Sequence, residues 1–147
     1  MDLSAVYAFV AGFPDFLLQL SVALGLFVLS LVVYVLMTPH KELALIREGN
    51  PSAALAFGAV VVGLAIPLGA CLAHAFSVWD VLIWGVIILL VQLLAFRITD
   101  MILRQLPRRI AEGDVAAAIM LMSVKLGVGL IIAGAISDPG LMQLIGR

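Results

Sequence analysis

The chain has 147 residues, of which 65% are hydrophobic and 12% are charged, and its formal net charge is −1. This composition and the mean hydropathy of +1.26 leave too little polar surface for a water-soluble globule, so most of the chain must lie in lipid. The charge pattern gives no support for nucleic-acid binding, and a single cysteine, Cys71, excludes an intramolecular disulfide and suggests a packing role.

Four apolar runs are long enough to cross a hydrocarbon core of about 30 Å, which requires roughly 20 helical residues. They lack the alternation of barrel strands, so the sequence predicts an all-α integral membrane protein with one membrane domain over residues 1–147. The second and third runs are separated only by residues 74–77, which predicts a tight antiparallel hairpin. The predicted spans are Phe16–Met37, Ser52–Ala73, Val78–Phe96 and Val115–Ile136.

Most basic residues lie in the two longer connections, residues 38–51 and 97–114, whereas the other side carries mainly aspartates. By the positive-inside rule, both connections face the cytosol, and both termini lie outside the cytosol at the cell inner membrane. Three aromatic rings near the ends of the spans fit a belt at the lipid–water interface. The basic residues are Lys41, Arg47, Arg97, Arg104, Arg108 and Arg109, and the rings are Tyr34, Trp79 and Trp84.

Both cytosolic connections alternate apolar and charged residues at helical spacing, which predicts short helices at the inner interface. Asp100 and Arg104 stand four residues apart, so we expect an ion pair that extends the third helix beyond the membrane.

An internal repeat aligns Ile46–Leu72 with Ile110–Ile136. Each copy, approximately residues 16–73 and 78–136, contains two spans, which predicts tandem parallel repeats related by an axis along the membrane normal. Small residues recur at equal depths, so we expect the second and fourth spans to pack together at the centre of the bundle. The predicted packing residues are Ala59, Gly63, Gly69, Ser123, Gly127 and Gly129.

The repeated junction reads as helix, glycine, capping residue, helix. Gly49 and Gly113 are predicted to end the interfacial helices in the left-handed conformation, and Asn50 and Asp114 to cap the following spans. The glutamates before the glycines oppose the helix dipole. They either interact with N–H groups of the following helix or bind a cytosolic cation or partner. These glutamates are Glu48 and Glu112.

Three features carry a family resemblance: Thr38-Pro39-His40 with Glu42, the Gly49-Asn50-x-x-Ala53-Ala54 junction with Gly58 and Gly63 after it, and Gln92–Phe96. With these features the chain resembles the YjfL-like bacterial membrane proteins grouped as domain of unknown function 350. The resemblance covers nearly the whole chain and implies four spans. Genes of that family often lie near envelope-stress or polyamine-related genes, which implies a stress-linked membrane role.

Lys125 lies ten residues into the fourth span, near the bilayer midplane. A lysine there costs about 2.5–3.5 kcal/mol unless it finds a partner, a wet cavity or the interface. Pro67 has no N–H and frees the carbonyl of Gly63, which is the expected partner, together with Ser30 or Gln92. Since no carboxylate is predicted at this depth, a proton-relay pair is not expected. A functional lysine and a tolerated one both remain open.

We expect no enzymatic activity, no cofactor and no metal, because no phosphate loop or ligand spacing occurs and His40 and His74 fall on opposite sides of the membrane. The favoured hypothesis is a membrane scaffold or envelope-stress component that presents its basic helices to anionic lipid or to a stress-response partner. The alternative is an oligomeric channel or a small-solute or ion transporter subunit. A four-helix monomer encloses little space, so that pathway needs a homo-oligomer.

Overall fold

A computed structural model describes residues 3–38, 42–75 and 77–138, with the side chains of 3–6, 8 and 9 left aside. Within these ranges all regular secondary structure is helical. Four helices, α1, α3, α4 and α6, are long and apolar enough to cross a membrane, as predicted. The helices are α1 (Leu3–Met37), α2 (Glu42–Arg47), α3 (Pro51–His74), α4 (Val78–Leu103), α5 (Leu106–Ala111) and α6 (Val115–Ile136).

Both junctions have the predicted local structure. Gly49 and Gly113 adopt φ values of +86° and +87°, a conformation that only glycine takes without strain. Asn50 accepts hydrogen bonds from two N–H groups in the first turn of α3, and Pro51 occupies its first position. The Asp114 carboxylate caps α6 in the same way, through the N–H of Ala117 at 3.1 Å. Each short helix therefore ends at its glycine, and the next membrane-spanning helix begins directly after the capping residue.

The first helix is longer than predicted. It begins at Leu3 rather than Phe16 and contains Pro14. Proline removes one backbone hydrogen bond without ending a helix in an apolar setting, so α1 continues through Pro14. With 35 residues, α1 is about 52 Å long and exceeds the hydrocarbon core.

The third span also continues past Phe96, to Leu103, as the charged extension predicted. The expected pair between Asp100 and Arg104 is wrong. The Asp100 carboxylate instead accepts from the N–H of Leu106 at 2.9 Å, because the chain turns sharply at Arg104 and the next residue, where φ is positive. Asp100 therefore fixes the corner between α4 and α5.

The α3 and α6 helices pack against each other at the centre, as expected, and α1 and α4 lie beside them. The closest approach is at Gly63 and Gly129, where an added Cβ on Gly129 would lie 2.8 Å from the Gly63 carbonyl oxygen. Ala59 and Cys71 are buried in the same core. These contacts need small residues because lipid provides no hydrophobic drive between helices.

Three predicted packing residues lie away from the contact between α3 and α6 within one chain, and for Gly127 a contact with a second subunit stays a prediction. Gly69 and Ser123 are exposed, and a Cβ added to Gly127 would meet nothing within 4 Å. The repeat alignment compares positions along the two helices only, and residues two apart on a helix face nearly opposite ways. Gly129, another of the predicted packing residues and one turn beyond Lys125, shares its face and contacts Gly63.

The three rings assigned to the aromatic belt differ in burial. Trp79 is exposed, and Trp84 packs partly against the core. Tyr34 is only 2% exposed and belongs to the interior of the bundle, so its assignment to the belt was wrong. Its hydroxyl finds a buried partner, described below, and therefore does not need the interface.

Candidate functional site

Lys125 lies on α6 in the interior of the bundle and is only 1% exposed. Its Nζ donates to the backbone carbonyl oxygen of Gln92 at 2.7 Å. The same nitrogen lies 5.5 Å from the centre of the Tyr34 ring and 5.8 Å from that of Phe96. Aromatic faces attract a cation at this range, so the two rings offset part of the hydration that the buried ammonium group has lost.

Gln92, on α4, fills the backbone gap created by the proline in α3. Its Nε2 donates to the Gly63 carbonyl at 2.9 Å and to the Lys125 carbonyl at 3.3 Å. Pro67 cannot bond the Gly63 oxygen, so that acceptor would otherwise be unpaired in the bundle interior. The expected bond from Lys125 to Gly63 is therefore wrong. The Gln92 side chain donates to the Gly63 carbonyl, and Lys125 donates to the Gln92 carbonyl. Ser30 is buried but does not bond Lys125.

A carboxylate also lies in this interior, contrary to expectation. Glu42, the first residue of α2, is 4% exposed, and its Oε1 accepts from the Tyr34 hydroxyl at 3.0 Å. The Tyr34 and Phe96 rings meet edge to face with centres 5.7 Å apart. Glu42 and Lys125 interact electrostatically. We call Tyr34, Glu42, Gln92, Phe96 and Lys125 the Lys125 cluster.

The sequence did not predict that Glu42 is buried, because the depth of each residue was judged only from its position along its own span. Glu42 follows the end of α1 and was assigned to the interface, but the long Tyr34 side chain, eight residues earlier, meets it inside the bundle. A glutamate at the start of a short helix next to an apolar run was the only local signal. The pairing itself depends on how α1, α2 and α6 come together.

Two oxygens of the Lys125 cluster are buried without a hydrogen-bond partner among the described residues: Glu42 Oε2 and Gln92 Oε1. Burial raises the pKa of Glu42 to about 7, although the hydrogen bond from Tyr34 and the positive charge of Lys125 oppose the increase. The carboxyl group therefore changes protonation near neutral pH. It can accept a proton or a hydrogen-bond donor at Oε2.

Asn50 links the two junctions. In addition to capping α3, its Nδ2 donates to the carbonyl oxygens of Ile110 at 3.3 Å and Ala111 at 3.0 Å, at the end of α5. The Ile110 carbonyl also accepts from the N–H of Gly113 at 3.1 Å. The amide group of Asn50 thus joins the start of α3 to the end of α5.

Asp114 cannot reciprocate, because a carboxylate does not donate. It pairs with Arg109 at 2.7 Å, and the N–H of Ala117 together with this arginine lowers the pKa of Asp114. Glu112 forms an exposed ion pair with Arg108 at 2.8 Å. Glu48 is exposed and forms no side-chain bond with the described residues.

The structure thus divides the predicted site residues into two groups. Lys125 and Gln92 meet in the Lys125 cluster, whereas Asn50 and the three acidic residues lie at the junctions, outside that cluster. Among the described residues, no group of three or more His, Cys, Asp or Glu side chains is placed to hold a metal ion. The acidic junction residues are Glu48, Glu112 and Asp114.

Comparison with known proteins places this chain in a family. The family model described as Domain of Unknown Function (DUF350) matches residues 8–136. The chain belongs to the DUF350 family. The match includes every residue of the Lys125 cluster, and it confirms the resemblance seen in the sequence.

Two curated relatives support the location of this DUF350 protein in the inner membrane. The UPF0719 inner membrane protein YjfL of Escherichia coli strain K12 is 31% identical over 109 residues, which cover 74% of this chain and 83% of that protein. The protein of the same name from Escherichia coli O157:H7 matches to the same extent. No solved structure matches. The chain is therefore a multi-pass inner-membrane protein.

Proposed function

We propose that this DUF350 protein is a non-enzymatic subunit of an oligomeric ion or small-solute transport system, and that the Lys125 cluster lies on its pathway. One observation carries the proposal: Lys125 and Glu42, at 1% and 4% exposure, interact inside a bundle of membrane-spanning helices. Ionisable residues are expensive in this environment and typically mark ion or substrate pathways.

Stability alone does not account for the pair. Apolar residues of similar size often serve a buried position as well as, or better than, an ion pair, because both charges must lose their water. Among the described residues, one carboxylate oxygen has no hydrogen-bond partner and the lysine bonds one carbonyl. Such an incompletely satisfied pair is better suited to exchanging ligands or protons than to fixing the fold.

The scaffold hypothesis was favoured because no buried carboxylate was expected beside Lys125, and Glu42 removes that reason. In addition, Arg108 and Arg109 are paired with acidic neighbours, which reduces the free positive charge of α5. A scaffold or envelope-stress role remains the second candidate. It is favoured by the exposed arginines that are left to contact anionic lipid: Arg47, Arg97 and Arg104.

The tandem parallel repeat is part of the proposal. Its support is the shared junction geometry: the N–H of Asn50 bonds the Leu45 carbonyl at 2.9 Å, and the N–H of Asp114 bonds the Arg109 carbonyl at the same distance. We also propose that the junctions face the cytosol and that both termini lie outside it, following the positive-inside rule. The pathway would then pass through the Lys125 cluster inside each subunit, and because that cluster is buried, the helices around it would have to move apart.

The test is a comparison of Lys125→Met with the parent protein in proteoliposomes. Methionine keeps length and apolar bulk and removes the charge. We expect altered flux of Na⁺, K⁺, Cl⁻ or protons, measured with ion-sensitive dyes, whereas Arg97→Met, at an exposed position on α4, should leave flux unchanged. If Lys125→Met melts at a higher temperature and every flux is unchanged, the lysine is merely tolerated and the proposal fails.

A further inference from the structure

We propose that Glu42 is a proton-binding site and that the proton is the ion handled by the Lys125 cluster. This inference rests on the proposed transport function and names its coupled ion. It arises from a juxtaposition that spans the chain: the first residue of α2 meets Tyr34 of α1 and interacts with Lys125 of α6.

The geometry assigns different roles to the two carboxylate oxygens. Oε1 holds the Tyr34 hydroxyl at 3.0 Å, which fixes the carboxylate, and Oε2 is buried with no partner among the described residues. A proton bound to Oε2 would convert the costly buried carboxylate into a neutral acid without breaking the bond from Tyr34. Oε2 is therefore the atom that accepts the proton.

The neighbouring groups make proton uptake at Glu42 depend on Lys125. Among the described residues, the titratable groups that face Glu42 are Tyr34 on α1 and Lys125 on α6, and Lys125 is the one that carries charge at neutral pH. The buried polar side chains of α3 and α4 have no titratable group. His40 and Lys41 lie outside the described residues. The buried α3 and α4 side chains are Ser52, Gln92 and Thr99.

The exchange is balanced in protons and charge. With Glu42 ionised and Lys125 protonated, the pair is neutral. When an O–H bond forms at Glu42 Oε2, the pair carries one excess positive charge in a medium of low dielectric constant, which favours release of a proton from Lys125 Nζ to water. One proton binds, one N–H bond breaks, and the pair becomes neutral again; the proton of Glu42 then passes to the free amine of Lys125, which breaks the O–H bond, restores the N–H bond and returns the pair to its starting state. Proton uptake at Glu42 is thereby coupled to proton release from Lys125.

A site that cycles must be populated in both states at the working pH. Burial raises the pKa of Glu42 to about 7, so the acid and the carboxylate are both present near neutrality. The exposed Glu48 at the other end of α2 has no comparable environment. The two glutamates therefore form a matched pair for experiment.

The test measures proton flux into proteoliposomes that contain a pH-sensitive dye, driven by a potassium gradient with valinomycin. We expect Glu42→Gln to reduce the flux to that of empty vesicles and Glu48→Gln to equal the parent. Glutamine keeps an oxygen for the Tyr34 hydroxyl but cannot carry a proton between sites. Equal proton flux in Glu42→Gln and the parent would overturn the proposal.

Infrared titration of the protonated carboxyl band gives an independent readout, useful if Glu42→Gln assembles poorly. We expect a band that titrates near neutral pH in the parent and in Glu48→Gln. In Tyr34→Phe its midpoint should rise, because the lost hydrogen bond favoured the carboxylate. A parent without a band titrating near neutral pH would contradict the proposal. If Lys125→Met alters the flux of another ion while Glu42→Gln does not alter proton flux, the transport function survives and proton coupling is rejected.

Discussion

The two short helices, α2 and α5, end in the same way but begin with residues of opposite character. Glu42 opens α2 and Leu106 opens α5, and the alignment that pairs Ile46 with Ile110 also pairs these two buried positions. In the spans that follow, Lys125 of α6 aligns with Val61 of α3. The two halves thus share junction geometry, whereas each contributes a different charge to one interior cluster.

The features that both halves share stabilise the fold, whereas the charges in which they differ form the candidate functional site. Glycine turns and helix caps appear in both halves because each half must fold the same junction. The charges appear once, and they meet only because the halves are packed against each other. Each of the following experiments changes one side of this comparison.

The largest effect is expected at the contact between α3 and α6. Gly129→Leu would place a side chain against the Gly63 carbonyl, where even a Cβ would lie 2.8 Å away, so the helices must separate. We expect the free energy of unfolding to fall by about 1–3 kcal/mol or more, or the protein to fail to assemble. Gly127→Leu is the matched control, because nothing lies within 4 Å of a Cβ there. Equal melting temperatures of the two variants in detergent would contradict the proposed contact.

The same glycines show how far sequence reasoning reaches. Spans, caps and the left-handed glycines depend on neighbours within a few residues, and they were predicted correctly apart from the start of α1 at Leu3. The neighbours of Gly127 and Glu42 could not be predicted in this way because they depend on which helix face meets which neighbour. A repeat alignment gives depth but not rotation about the helix axis. The Lys125 cluster, drawn from four helices, therefore emerges only from the packed structure.

A smaller effect is expected from exchanging the two capping residues. Asn50→Asp keeps the cap on α3 but removes the amide donor to the Ile110 and Ala111 carbonyls, which should lower the free energy of unfolding by about 0.5–1.5 kcal/mol. Asp114→Asn also keeps a cap and loses only a partly exposed ion pair with Arg109, worth about 0–1 kcal/mol. Thermal unfolding in the same detergent compares them. A larger loss for Asp114→Asn would mean that the link through Asn50 is unimportant.

The most direct test of the central claim, that Glu42 is buried in the Lys125 cluster, is the melting temperature as a function of pH. The pKa of Glu42 rises from an ordinary 4.5 to about 7 in the folded protein, so between these values the folded state binds more protons than the unfolded state. Stability from this group is therefore present at low pH and declines as pH rises through that window. Glu42→Gln lacks the titrating group. The account predicts that the parent loses stability relative to Glu42→Gln from pH 4.5 to about 7, and parallel curves for the two proteins would contradict it.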